Sequence, residues 1–210
     1  TVLSRGLGDV YKRQTVSFWD TGEFIATSHI LGVPHPPGSP LFLLVGKFFS
    51  LIPLSSDIAF RVNIFSPIIS ALTISLLFLI CNEFIDRVDS NDDNRFFKMW
   101  SSLTASLTFA FTHSHWFNAV ETEVYAFSGF MTALVVYLIM LWSKKIDDSS
   151  HVVYLMLISY IIGLATGLHL LNLLTIPFIG LIIYHTIGKL STQNLFLTCL
   201  LYTSDAADES

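Results

Sequence analysis

Val62 to Cys81 runs for about twenty residues without a charged side chain, which is long enough to cross a bilayer as an α-helix. Backbone groups in hydrocarbon must be satisfied within the segment, so such a run commits the chain to helix. Further apolar runs follow at Met99–Thr112, extending towards Trp116, and at Phe127–Trp142, Val152–Leu168 and Leu170–Ile187. With 52% of residues hydrophobic and 18 phenylalanines, the chain belongs with polytopic membrane proteins. The expected fold is all-α, a transmembrane helical bundle of about five spans.

Leu41–Leu54 is different. It is apolar for about fourteen residues, carries Lys47 and ends near Pro53. That length suits an interfacial or re-entrant helix. Charge decides the topology. With Leu41–Leu54 on the surface, Arg87, Arg95, Lys98, Lys144, Lys145 and Lys189 all fall on one side, and the positive-inside rule makes that side cytoplasmic. Asp20, His35, the His113–Glu123 loop and His169 then share the opposite face. A spanning Leu41–Leu54 would separate Asp20 from Glu121 and Glu123. The loop Asp86–Lys98, with Asp89, Asp92 and Asp93, reads as a solvated cytoplasmic turn, as does the turn at Asp147 and Asp148. The expectation is an integral protein of a bacterial inner membrane with its site on the non-cytoplasmic face.

The formal net charge is −5 and no basic, aromatic-interleaved stripe is present, so nucleic acid is not a partner. No internal repeat, Walker-type loop or dinucleotide fingerprint occurs.

The two ends read differently from the rest. SRGLGDVYKRQ near the start and CLLYTSDAADE near the finish translate transposase adapters used in shotgun libraries. DVYKRQ can be encoded by GAT GTG TAT AAG AGA CAG, and CLLYTS by TGT CTC TTA TAC ACA TCT. The second string is nearly the reverse complement of the first, as an adapter read at both ends of an insert would be. Residues 1–14 and 199–210 are therefore expected to be non-native tails, and 15–198 a partial transmembrane domain. Cys199 falls in a tail. Cys81 then remains, inside an apolar run, and suggests neither a disulfide nor a metal site.

Ionisable groups in a membrane protein are costly and mark candidate sites. Asp20 and Glu23 stand three apart in Trp19-Asp20-Thr21-Gly22-Glu23-Phe24. They can share a helix face as a reactive pair, or form a capping box. His35-Pro36-Pro37-Gly38 is a rigid turn that fixes the direction of His35, or only aims the next helix. His113 and His115 lie two apart where helices are expected, so they diverge and make a poor metal pair. They suit interfacial polarity or hydrogen bonding to an anion. Glu121 and Glu123 open a span and bind substrate or are merely solvated. Tyr125 and Trp116 fit an aromatic belt equally. His169 follows Gly163-xxx-Gly167, a spacing suited to close helix packing. It reads as a turn histidine with a possible share in the site. Arg61 precedes a span on the outer face, where it can bind a phosphate or snorkel to the interface.

The string TVSFWDTGEFIATSHILGVPHPPGSPLF, with the later AVETEVYAF, resembles the domain-of-unknown-function 2723 family. That family is classed as glycosyltransferase family 117 and includes a eukaryotic protein O-mannosyltransferase. It is similar to the GT-C superfamily, whose members use lipid-phosphate sugars in the membrane. The arrangement of His35-Pro36-Pro37 and Phe60-Arg61, leading from an interfacial helix into a span, resembles the wider lipid-linked-sugar transferases. There an acidic residue of the first external loop acts at the reaction centre. Carried over by motif, that residue is Asp20, with Glu23 beside it. The resemblance implies transfer of a sugar, mannose in the characterised relative, from a polyprenyl- or dolichyl-phosphate donor. The acceptor is a hydroxyl of a protein or glycan, and the transfer proceeds with inversion. Arg61, His35 or a histidine of the later loop would stabilise the leaving phosphate. Partners are the lipid-linked donor, the acceptor and membrane lipid. No cofactor is expected, with a divalent metal left open. The rival classes are a transporter and a scaffold of a glycan-assembly complex.

Overall fold

The computed structural model describes residues 20–36, 38–89 and 94–187. The adapter-like tails, Pro37, Asp92, Asp93 and Lys189 lie outside the described residues. Nine α-helices form within them: α1 Thr21–Ile30, α2 Pro40–Leu51, α3 Ile58–Asn63, α4 Phe65–Val88, α5 Arg95–Ala110, α6 His113–Val120, α7 Val124–Lys144, α8 His151–Thr166 and α9 Thr175–Ile187. A 3₁₀ turn, Leu170–Leu174, precedes α9. No strand occurs among the described residues.

Among the described residues, three segments are long and apolar enough to cross a membrane: Ile58–Val88, Val124–Lys144 and Leu170–Ile187. The expected spans at Met99–Thr112 and Val152–Leu168 form shorter helices. α5 and α8 have 16 residues each, which at about 1.5 Å per residue reaches about 24 Å. That falls short of a hydrocarbon core of about 30 Å. α5 also begins with Arg95 and Lys98, and its run breaks at Thr112. The Thr112 backbone is extended and its hydroxyl accepts from the His115 N–H, so a new helix, α6, starts there.

At Leu41–Leu54, expected as an interfacial segment, the chain forms the 12-residue helix α2, too short to span a membrane. Pro40 begins it at a position where a missing N–H is harmless. It buries Phe42, Leu43, Gly46 and Ser50 and leaves Leu44, Phe48 and Leu51 exposed. The Lys47 ammonium donates to the His29 carbonyl at 2.5 Å, which satisfies the cation within an apolar segment.

Phenylalanine builds the core. Phe24 meets Phe42 at 5.2 Å, Phe42 meets Phe65 at 6.2 Å, and Phe65 meets Phe127 at 5.1 Å, all edge-on. This edge-to-face ladder, a geometry that aromatic quadrupoles favour, ties α1 and α2 to α4 and α7. Close helix approach is set by Gly46, where an added Cβ would come within 2.8 Å of the Ser28 Cβ. The spacing at Gly163 and Gly167 does not do this. Nothing lies within 4 Å of a Cβ built on Gly163, so the helix-packing expectation fails there for want of a neighbour.

One end of the bundle collects the basic residues. Glu83, buried on α4, accepts from Arg87 at 3.0 Å and from Lys144 at 2.6 Å. Arg87 also reaches the Met140 carbonyl and the Ser143 hydroxyl, tying α4 to α7. The opposite end carries the loops that hold Asp20, His35, Glu121, Glu123 and His169.

Candidate functional site

Asp20 occupies the N-cap position of α1, yet its side chain makes no capping hydrogen bond. Glu23 does not close a capping box either. Its carboxylate turns to His35, accepting from the His35 backbone N–H at 2.7 Å and meeting Nδ1 at 2.9 Å. The His35 Nε2 lies 3.7 Å from Asp20 Oδ2, so the imidazole sits between two carboxylates. Its edge packs on Phe24 at 5.8 Å.

The turn after His35 is clamped from the far side. Gly38 and Ser39 both take positive φ, 91° and 35°. That geometry suits glycine at the first position, while at the second the buried Ser39 hydroxyl is held by donating to the Leu168 carbonyl at 2.9 Å. The Leu41 N–H bonds the Gly167 carbonyl at 3.3 Å. The α1–α2 loop is thereby fastened to the end of α8.

The second acidic segment is buried. Glu121, Thr122 and Glu123 are 2%, 0% and 6% exposed, so they are not solvated loop acids. An amide latch positions them. Asn63 donates to the Val120 carbonyl at 3.0 Å and accepts from the Thr122 hydroxyl at 2.9 Å. Asp20, Phe117, Asn118, Glu121, Glu123 and Tyr125 then line a common recess of about 310 Å³. His169 stacks obliquely on Tyr125 at 5.5 Å, and its Nδ1 accepts from the Leu171 N–H at 3.2 Å. It is thus a turn histidine placed beside the recess.

The structure does not bring the remaining residues to this recess. The Arg61 guanidinium donates to the Ser50 carbonyl at 2.8 Å and braces the end of α2. His113 packs near Phe117, at 6.1 Å. His115 lies against Phe109 at 4.9 Å, facing a different groove. As expected for positions two apart on a helix, the two histidines do not converge.

Electrostatics divides the acids. Glu23 is held below the usual carboxylate range, chiefly by its side-chain hydrogen bond to His35. His35 is raised, first by that same bond, against desolvation, with the charges of Asp20, Glu23 and Glu123 adding. Glu123 is pushed up to about 7 by burial, and Asp20 and Glu121 push the same way. One carboxyl of the site is thus near half-protonation at neutral pH, a property typical of functional clusters. Burial lowers His115. Ligand-capable atoms of Asp20, Glu23 and His35 lie within 4.8 Å of one another, so these three could hold a divalent cation.

The His35 contact has a definite pH window. The raised histidine binds fully below its ordinary value of 6.5 and is lost as pH rises through the higher folded value. The lowered Glu23 makes the contact fail again as pH falls through its depressed value. In a histidine titration by NMR, Glu23→Gln is expected to move His35 back towards its ordinary value. An unchanged midpoint would show that the contact does not form in solution.

Sequence reasoning missed Asn63, Asn118, Ser39 and Asn172. Each is a polar residue in or beside an apolar helix, a pattern that does signal a buried polar role. The partners are distant in sequence and carry no local mark.

Taken together, this is a helical membrane protein with an acidic, histidine-braced recess at one end of its bundle. The chain belongs to the family of the protein O-mannosyl-transferase TMEM260 N-terminal domain, whose profile matches residues 20–193. It is 28% identical over 178 residues to the protein O-mannosyl-transferase tmem260 of Dictyostelium discoideum, covering 78% of this chain and 20% of that protein. It is 33% identical over 122 residues to protein O-mannosyl-transferase TMEM260 of Mus musculus, covering 56% of this chain and 16% of that protein. The chain therefore spans about one fifth or less of the length of these relatives. No solved structure matches it.

Proposed function

We propose that this chain is the acceptor- and donor-binding part of a membrane glycosyltransferase that moves a sugar from a lipid-phosphate carrier to a hydroxyl. One observation carries the reading. The acidic recess shares Asn118 and Tyr125 with an apolar groove of about 430 Å³ that includes Leu77, Ile80, Phe109 and Val136. A polar pocket continuous with a lipid-facing groove suits a substrate with a charged head and a polyprenyl tail. Relatives named as protein O-mannosyl-transferases support mannose as the sugar and a protein hydroxyl as the acceptor.

In this reading Asp20 removes the proton from the acceptor hydroxyl, and its oxygen attacks the anomeric carbon as the phosphate leaves from the other face. The product has inverted configuration. His35, held between Asp20 and Glu23, orients the Asp20 carboxylate towards the acceptor hydroxyl, within whose reach a base must lie. Protonated Glu123 donates a hydrogen bond to a substrate oxygen. Arg61 takes no part in this reading, because it does not line the recess. The recess faces away from the basic end of the bundle, and the positive-inside rule thus supports a non-cytoplasmic site.

Asp20, Glu23, Glu121 and Glu123 sit at one end and Glu83 and Asp86 at the other, and no Asp, Glu, Lys, Arg or His interrupts α7 between Val124 and Ser143 or α4 between Phe65 and Asn82. An ion path through these spans has nothing to run along, which disfavours a transporter. The deciding experiment supplies full-length protein in lipid vesicles with a mannosyl-phosphate polyprenol and a Ser/Thr acceptor peptide. Transfer is expected with that donor. Equal transfer from a water-soluble sugar nucleotide would defeat the lipid-donor reading.

A further inference from the structure

A second cavity lies at the other end of the molecule. It measures about 610 Å³ between α4 and α5 and is lined by Phe78, Asn82, Asp86, Arg95, Lys98 and Met99. None of these residues enters the recess around Asp20.

Its lining is ordered by depth. On α4, Phe78 precedes Asn82 and Asp86 by one and two turns. On α5, which runs back the other way, Met99 follows Arg95 by one turn. The apolar wall therefore lies deeper in the bundle, level with the buried Lys98, and Asp86 and Arg95 lie at the rim. That is the polarity profile of a membrane lipid lying with its tail inward.

The charges favour an anion. Lys98 is only 4% exposed, and its ammonium meets Asp86 at 3.1 Å. Asp86 is thus already neutralised within the cavity, and Asn82 leans towards it at 3.5 Å. Arg95 is exposed and has no side-chain partner among the described residues. Of the nearby groups, Asp89 accepts from Asn94 at 2.9 Å, and Glu83 is bound by Arg87 and Lys144. Among the described residues the cavity thus offers a guanidinium without a side-chain partner, beside the Asp86-paired ammonium of Lys98 and the Asn82 amide. A guanidinium binds phosphate through paired N–H donors. Basic pockets between membrane helices on the positively charged side are suited to anionic headgroups.

We propose that this cavity binds the phosphate of an anionic membrane lipid, with the first segment of an acyl chain against Phe78 and Met99. The head would bond Arg95 and Lys98, and the site would anchor the paired ends of α4 and α5 at the leaflet surface.

The test compares full-length wild type with Arg95→Gln in detergent, by native mass spectrometry and thermal stability. The probes are phosphatidylglycerol, phosphatidylcholine of the same chain length, and inorganic phosphate. Wild type is expected to retain phosphatidylglycerol over phosphatidylcholine, and Arg95→Gln to weaken that binding about tenfold, the scale of one charge-assisted hydrogen bond. Arg95 is exposed, so the variant should fold; Lys98 is buried and paired, and its loss would confuse binding with folding. Lys145→Gln serves as the control for general basicity, since that ammonium lies at the same end, 5.6 Å from the Tyr154 ring, and should leave binding unchanged. The proposal is overturned by equal retention of the two lipids, by unchanged binding in Arg95→Gln, or by an equal loss in Lys145→Gln. Stabilisation by inorganic phosphate alone to the same extent would likewise overturn the lipid assignment.

Discussion

Asp20→Asn is expected to lower sugar transfer by about 10²- to 10⁴-fold, the usual contribution of a positioned general base, while leaving thermal stability almost unchanged. The side chain is 51% exposed and makes no capping hydrogen bond, so an isosteric amide removes little that holds the fold. Asparagine is also an equally good N-cap residue. The helix-capping explanation of Asp20 therefore predicts no effect on transfer, and the catalytic one predicts a large effect. Near wild-type turnover from the full-length variant would remove Asp20 as the base. The substitution has a second readout. Asp20 is one of the charges that raise Glu123 to about 7. An acid raised on folding favours the folded state at low pH, and that contribution is lost as pH rises from its ordinary 4.5 through about 7. Wild type should thus lose stability across that range, and Asp20→Asn should lose less. This pH dependence reports whether the two carboxyls face one another, independently of any transfer assay.

The two acidic segments were legible as candidates because charge is rare in this chain and each stands at the mouth of an apolar run. Their meeting followed from the topology that basic residues suggested. The detail of Glu23 was not legible. Asp-Thr-Gly-Glu has the spacing of a capping box, and nothing local distinguishes that use from the observed bond to His35, twelve residues on. The glycines show the same limit. Gly163 and Gly167 have the spacing of a packing motif but Gly163 faces open space, whereas Gly46 has no glycine four residues away and sits against Ser28. A motif read along one helix does not say whether a second helix lies opposite. Spans were legible by length. The brevity of α5 was less so, because its end depends on the cap at Thr112 rather than on hydropathy. The amide latch at Asn63 joins residues 57 and 59 positions apart, and such pairings leave no trace in local sequence.

Asn172 is the other such residue, and Asn172→Leu is expected to produce the largest loss of stability. The side chain is 2% exposed and uses both ends. Its oxygen accepts from Ser128 at 3.2 Å and from Thr132 at 3.0 Å, and its amide nitrogen donates to the Ala165 and His169 carbonyls at 3.2 and 2.9 Å. These bonds fix the turn between α8 and α9 against α7. Leucine has a similar volume but satisfies none of them. Polar contacts within membrane bundles average about 0.6 kcal/mol each, so losing all of them costs about 2–3 kcal/mol. In a chain of this size that lowers the thermal midpoint by roughly 5–10 °C. The partner-side variant Ser128→Ala with Thr132→Val should cost less, because the two carbonyl bonds survive, and the combined variant should be less than additive. The same turn supplies the Leu168 carbonyl that holds Ser39 and carries His169 beside Tyr125. Asn172→Leu should therefore weaken transfer even at temperatures where the protein stays folded, although Asn172 does not line the recess. A loss of stability with transfer intact below the new midpoint would show that the turn supports the bundle but does not position the site.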